Sequence, residues 1–248
     1  MASISKHAEK VGICVNYSSF IFRILQRHSL SGRRGRRPLQ FTLSISLMFP
    51  QGYHSAAGTV LRRRISADGD LALDLFLKGF GRLPVFARGG GRGSVRFGGA
   101  TEPLVWGEFE FYKSAKGGRL ILRSVEVKYD ALKLRNSKDV ILTAFNWIKM
   151  LLQYLEEGRA DDKVLSCFYW GLKLLEEGVP VEIADWRFVW RWLNIWGLAP
   201  EPENENMLFI ARAEHDVIRN IKRIYSPEHS IELKNAAQRF RLYFKGIM

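Results

Sequence analysis

The stretch that decides how this chain folds is Leu71-Ala72-Leu73-Asp74-Leu75-Phe76-Leu77-Lys78-Gly79-Phe80-Gly81-Arg82-Leu83-Pro84-Val85-Phe86-Ala87. Leucine stands at 71, 73, 75 and 77, a period of two that turns one face of an extended strand toward a core. Leu83 to Ala87 is a second run with β character, and the glycines between the two runs mark a turn, so the stretch reads as a hairpin. Upstream, Thr59 to Ile65 reads as a third strand. Downstream, Leu104 to Tyr112 alternates Val105, Gly107, Phe109 and Phe111 against Trp106, Glu108 and Glu110, and Lys116-Gly117-Gly118 turns the chain into Arg119 to Val127. Five strands in about 75 residues, with no helix until after residue 135, suit a five-stranded OB-fold barrel; a sandwich would need about seven.

Beyond residue 135 the period changes to that of helices. Lys138 to Leu155 is apolar nearly all round, Asp161 to Leu175 follows an acidic cap region at Ala160-Asp161-Asp162, and Val181 to Trp196 ends at Gly197. The stripe Trp186, Trp190, Leu193, Gly197 reads as core. A last basic helix, Ile231 to Lys245, carries Lys234, Arg239, Arg241 and Lys245, either as a solvated face or as the rim of a pocket for an acidic segment. The whole is α+β, an N-terminal OB-fold barrel followed by an all-α helical C-terminal domain, with expected bounds 48–135 and 136–248.

Charge divides the chain at the same place. Residues 1–53 carry a net +7, residues 54–135 another +7 and residues 136–248 a net −1, within a total of +13. A polyanion-facing surface is therefore expected on the barrel, and a different task for the helices. Half of the 22 glycines lie between Gly79 and Gly118, and six of the seven tryptophans lie after residue 146. The two cysteines, Cys14 and Cys167, exclude a disulfide framework and a paired-cysteine zinc site, which makes a reducing cytoplasm the expected compartment. The longest apolar run, Val140 to Leu155, is too short to span a bilayer and carries Asn146, Lys149 and Gln153.

Residues 1–47 read poorly as part of a fold. They hold eight serines, one acid (Glu9) and the cluster GRRGRR at 32–37. Two accounts are open: a disordered basic extension that touches nucleic acid, or a wrongly assigned start, with translation beginning at Met48.

The most unusual stretch is ARGGGRGSVRFGGA, residues 87–100, where Arg88, Arg92 and Arg96 recur every four residues among glycines that prevent a helix. A loop of this kind offers guanidinium groups and bare amides to phosphate oxygens; the alternative is a solvated hairpin loop. It matches no nucleotide-binding spacing, neither a P-loop nor a dinucleotide fingerprint. Arg62, Arg63, Arg64, Lys78, Arg82, Lys113 and Lys116 add positive charge to the same half, and with the loop arginines they form the expected DNA-binding set. Phe86, Trp106 and Phe111 fall at strand positions that favour core; Phe97, in the loop, is the aromatic expected to stack on bases.

Gly58-Thr59-Val60-Leu61, Asp68-x-Asp70, Phe80-Gly81-Arg82, Ala87-Arg88-Gly89, Arg96-Phe97-Gly98-Gly99, Pro103 and Glu108 resemble, in order and spacing, the N-terminal domain of RecO, the bacterial recombination mediator family. The likeness extends over roughly residues 54–200. It implies an OB fold joined to a helical domain, binding of single- and double-stranded DNA, annealing of complementary strands, contact with the acidic tail of single-stranded-DNA-binding protein, and cooperation with RecR to load RecA. It also implies a cytoplasmic, nucleoid-associated protein without a membrane anchor. Many members carry a four-cysteine zinc module after the position of Gly197-Leu198; here Pro200 to Asn206 holds no cysteine, so no metal or other cofactor is carried over. Leu77 stands where a threonine is common.

Catalysis finds little footing. The five histidines are scattered, and Glu214-His215-Asp216 reads as the acidic start of a helix rather than a metal cluster. No enzyme is expected. Two other classes remain, an RNA-binding OB-fold protein of translation and a metal-dependent nuclease. Changing Arg88, Arg92 and Arg96 together to Ala should make the dependence of DNA binding on salt shallower by about two to three phosphate contacts, read from the slope of log K against log salt.

Overall fold

The computed structural model describes residues 50–65, 69–90, 97–114, 118–220 and 227–247, of which 227–230 and 243–247 as backbone only. The 1–47 extension, Arg92, Arg96 and Lys116 lie outside these. Two compact units divide the chain: Pro38–Ala237 holds all elements up to the start of the last helix, and the other holds that helix's end. The change at residue 136 is therefore one of secondary-structure type within a single compact unit.

Five strands, β1 (Gly52–Ile65), β2 (Leu71–Leu77), β3 (Gly81–Ala87), β4 (Trp106–Lys113) and β5 (Leu120–Tyr129), close into a ring in the order β1-β2-β3-β5-β4. The four leucines of β2 fill its interior with Val60, Leu83, Val85, Phe109, Phe111, Leu120 and Leu122, so the period of two read from the sequence is the inside of the ring. Closure rests on a short parallel contact, Val85 with Leu120 and Phe86 with Ile121. β1 serves both halves of the ring: Gly52 to Thr59 pairs with β4, Gly58 to Ile65 with β2, and a bulge between Val60 and Arg62 bends the strand between them. This strand starts seven residues before the expected Thr59, because Tyr53-His54-Ser55-Ala56-Ala57 has no apolar alternation to announce it.

Gly58 and Gly107 face each other across β1 and β4, and a Cβ on either would come within 2.2 and 2.3 Å of the carbonyls of Phe76 and Glu126. Close strand approach at a tight corner needs the missing side chain.

The helices are α1 (Lys138–Tyr154), α2 (Asp162–Glu176), α3 (Val181–Ile195), α4 (Glu205–Arg212), α5 (His215–Arg219) and α6 (Pro227–Ile247). Asp161 caps α2 by accepting from the amide of Val164, and Asn204 caps α4 by accepting from that of Met207. α1 is amphipathic rather than apolar all round: Trp147, Ile148 and Leu151 are buried while Leu142 and Phe145 are exposed. Trp147 stacks on Phe188 of α3, ring centres 4.5 Å apart, and its indole donates to Asp185 at 2.8 Å. Trp186 and Leu193 are fully buried and Trp190 nearly so, its indole donating to the Pro200 carbonyl, so the stripe is core.

Ring and helices join at the β2–β3 turn. The amide of Gly79 donates to Asp162 at 2.7 Å, and Gly158 donates to the Arg82 carbonyl at 2.9 Å. Gly81 has φ +73°, and a Cβ there would lie 1.9 Å from the Arg159 carbonyl. Gly81→Ala should therefore lower the unfolding free energy by at least about 1–3 kcal/mol, measured by urea denaturation.

Candidate nucleic-acid interface

The basic residues read from the sequence fall into groups with different partners. Asp74, on β2 and 3% exposed, accepts from Arg62 at 2.8 Å and lies 3.5 Å from Arg64, while Arg63 pairs with Glu102. Arg62 and Arg64 keep about half of their side chains open to solvent, so the carboxylate orients them without covering them. Arg88 is exposed at the end of β3, and the next amide, Gly89, donates to Asp70 at 2.7 Å, which ties the start of the glycine-rich loop to the β1–β2 connection.

Arg82 has a different setting. It points toward the helices, donating to the Leu152 carbonyl and to Glu157 at 3.1 Å, and only 14% of its side chain is exposed. It stands at the other end of β3 from Arg88, about 20 Å away along the strand. Lys78, in the turn beside it, is exposed at that same far end. Lys113 is 5% exposed, on the register side of β4 that faces the ring interior with Leu120. The strands thus gather Arg62, Arg64 and Arg88 toward solvent and place Arg82 in the joint.

The aromatics differ from expectation in two cases. Phe97 is 9% exposed and belongs to the ring core, because the turn Gly98–Thr101 folds it inward; it is not free to stack on bases. Phe86, expected in the core, faces outward with the guanidinium of Arg119 5.3 Å above its ring. Trp106 is buried outside the ring, against Phe168 and Tyr169 of α2, and Phe111 is core as expected.

Phe86 belongs to a row that the sequence reading did not find. Register places Tyr53 (β1) opposite Tyr112 (β4), Tyr112 opposite Ile121 (β5), Ile121 opposite Phe86 (β3) and Phe86 opposite Ala72 (β2), so all five share the outer face. Tyr53 and Tyr112 have ring centres 5.0 Å apart, and Arg123 lies over both, at 5.8 and 5.3 Å. Tyr53 is 65% exposed. The signal was present: Arg119, Ile121 and Arg123 alternate with the inward Leu120 and Leu122, and Tyr112 continues the outward positions of Glu108 and Glu110. Beside this row runs an acidic one, with Glu108 accepting from Ser55 and Glu110 from Ser124.

The helical half holds a pocket of about 910 Å³ between α2, α3 and the α4–α5 connection, lined among others by Cys167, Trp170, Arg187, Arg191 and His215. Arg187 donates to the carbonyls of Ile210 and Ala213, and Arg191 to those of Ala211 and Ala213, closing the free carbonyls at the end of α4. Burial, with the charge of Arg191 beside it, holds the Arg187 guanidinium down to about 9, and burial pushes the Cys167 thiol up to about 12. Trp170, half exposed, lies tilted against His215 with ring centres 4.8 Å apart, and His215 contacts Glu177 at 3.0 Å. Glu214 stands immediately before α5 without a side-chain hydrogen bond to its amides, and among the described residues no group of acids, histidines and cysteines is arranged to hold a metal.

A five-stranded ring of OB order, with arginines and aromatics on its outer face and a helical body behind it, defines an OB-type binding module. Residues 51–128 match the family model described as "Recombination protein O N terminal". The chain is similar to proteins named DNA repair protein RecO from Exiguobacterium sibiricum (26% identical over 58% of this chain and 57% of that protein) and Syntrophus aciditrophicus (27%, over 59% and 57%). A third, from Desulfosudis oleivorans, is 25% identical over 59% of this chain and 57% of its own length. By that domain the chain is similar to the RecO proteins. It spans about 57% of the length of the curated relatives it matches. No described helix is long and apolar enough to cross a membrane.

Arg82→Ala should lower the melting temperature by a few degrees while leaving the salt slope of DNA binding unchanged, whereas Arg88→Ala, at an exposed position, should leave the melting temperature in place and reduce that slope by about one phosphate contact. Paired thermal melts and salt titrations read both.

Proposed function

We propose that this protein acts in DNA repair and recombination as a mediator that binds single- and double-stranded DNA without sequence preference and brings complementary strands together. The observation that carries this reading is the set of solvent-facing arginines on the ring, Arg62, Arg64, Arg88, Arg119 and Arg123, in a domain that matches the RecO N-terminal model. Guanidinium groups at phosphates displace condensed counterions, which gives affinity that depends on charge and salt rather than on sequence. Annealing requires that indifference. Two strands held by their backbones repel each other less, and their base edges stay free to choose the register.

The partners in this reading are those the family resemblance implies. RecR and, through it, RecA would meet the protein once DNA is bound. The acidic tail of single-stranded-DNA-binding protein fits the helical half best at the pocket beside Trp170, where Lys163 and Arg212 stand with the buried Arg187 and the partly buried Arg191. The site of action in this reading is the cytoplasm, at the nucleoid, and no reaction is catalysed.

The purified full chain should accelerate annealing of complementary strands at low salt and lose the effect as salt rises, followed by a fluorescence-quench assay. Equal rates with and without protein would sink the proposal. Competition between single-stranded DNA and RNA of equal length separates it from an RNA-binding role, since preference for RNA would point to that class.

A further inference from the structure

Phosphate contacts account for affinity toward any nucleic acid, yet they favour a duplex, whose charge density is the higher, over a single strand. The outer row of the ring offers something a duplex cannot use. Tyr53, Tyr112, Ile121 and Phe86 lie side by side on four adjacent strands, spanning about 14 Å across three inter-strand gaps. Two of these rings carry a guanidinium each, Arg123 over Tyr112 and Arg119 over Phe86, both exposed.

We propose that this row is a stacking platform for the unpaired bases of single-stranded DNA, with Tyr53 and Tyr112 as one stack, Phe86 as the next, and Arg119 and Arg123 serving both base faces and phosphates. The inference rests on the DNA-binding role proposed above and adds the feature by which the protein selects single strands. Three observations on the molecule support it. The first is exposure: Tyr53 is 65% open, so the face of its ring is within reach of a base. The second is charge complementarity. Arginine is paired here with aromatic rings rather than with carboxylates, so each guanidinium keeps its N–H groups for phosphate oxygens while its plane offers a flat face to a base. The third is the acidic row next to the platform, Glu108 and Glu110, which repels a phosphate backbone. It confines the strand to the arginine side and leaves room for about two or three bases, as on other sheet-borne platforms.

Stacking engages base faces and leaves the pairing edges free, so it is compatible with annealing. In a duplex those faces are hidden between neighbours, and the platform has nothing to grip.

The test uses the full chain and three probes of about 12 units: oligo-deoxythymidine, an abasic strand with the same phosphates, and a duplex. Binding is followed by fluorescence anisotropy at several salt concentrations. The thymidine strand should bind at least about tenfold more tightly than the abasic one, with parallel salt slopes. Tyr53→Ala combined with Phe86→Ala should bring the thymidine strand to within about twofold of the abasic strand and leave duplex binding unchanged, while Tyr53→Phe should keep the difference. Since Phe86→Ala touches the ring wall, Tyr53→Ala alone, at a largely open position, should give part of the same loss without altering the melting temperature. Equal binding of thymidine and abasic strands overturns the stacking platform and leaves the phosphate-binding role standing. So does a loss that falls equally on single strand and duplex. Failure of all three probes to bind at low salt overturns the DNA-binding role and the platform with it.

Discussion

The contact between the β2–β3 turn and the α1–α2 connection is the constraint on which the rest of the arrangement depends. Gly81 allows the turn to come so close to Arg159 that a single added carbon would collide with its carbonyl, and Arg82 then threads its guanidinium between the Leu152 carbonyl and Glu157. A charge taken out of water must be met by acceptors, and here they come from the helical segment, so the turn cannot leave without stranding it. With that end of the ring fixed against helices, Phe76 and Asp74 become buried on the outer side of β2, and the open part of the outer surface is the end where β3 finishes, β5 begins and β1 starts.

Arginine does three different jobs in this one unit, and its partner decides which. Arg82, Arg187 and Arg191 donate to backbone carbonyls and are largely enclosed; they hold elements together. Arg62, Arg63 and Arg64 are steered by carboxylates yet remain between about a third and a half open. Arg119 and Arg123 lie over aromatic rings and have the most freedom to donate outward. Net charge counts all of these alike, although only the last two groups can meet a phosphate without unfolding something. The helices repeat the theme: two guanidiniums side by side on α3, Arg187 buried and Arg191 partly so, are tolerated because the carbonyl end of α4 supplies the opposing dipole.

Much of the architecture was legible. The leucines of β2 alternate because they line a closed interior, and the tryptophan stripe of α3 recurs at helical spacing because it lies on one buried face of that helix, where Trp190 donates to the Pro200 carbonyl. What misled were residues whose environment is set by distant segments. Phe97 sits in a glycine-rich stretch that suggested freedom, but a short helical turn folds it into the core. Phe86 sits at a strand position that suggested burial, but β3 alternates Leu83, Val85 and Ala87 inward and so sends it out. The early start of β1 was hidden because its first residues are polar or small, as an outer, edge-pairing segment permits.

The sequence by itself determined the two kinds of secondary structure, the point where one gives way to the other, the concentration of positive charge on the strand half and the likeness to one family. These follow from periodicity and composition, which are properties of neighbours along the chain. Only the tertiary structure decided which basic side chains point outward and which close the joint, and that Tyr53, Tyr112 and Phe86, up to 59 positions apart, form one row. The reason is geometric: the register of a closed ring brings together residues from strands that sequence order keeps apart, and a one-residue shift would turn each of them to the other face.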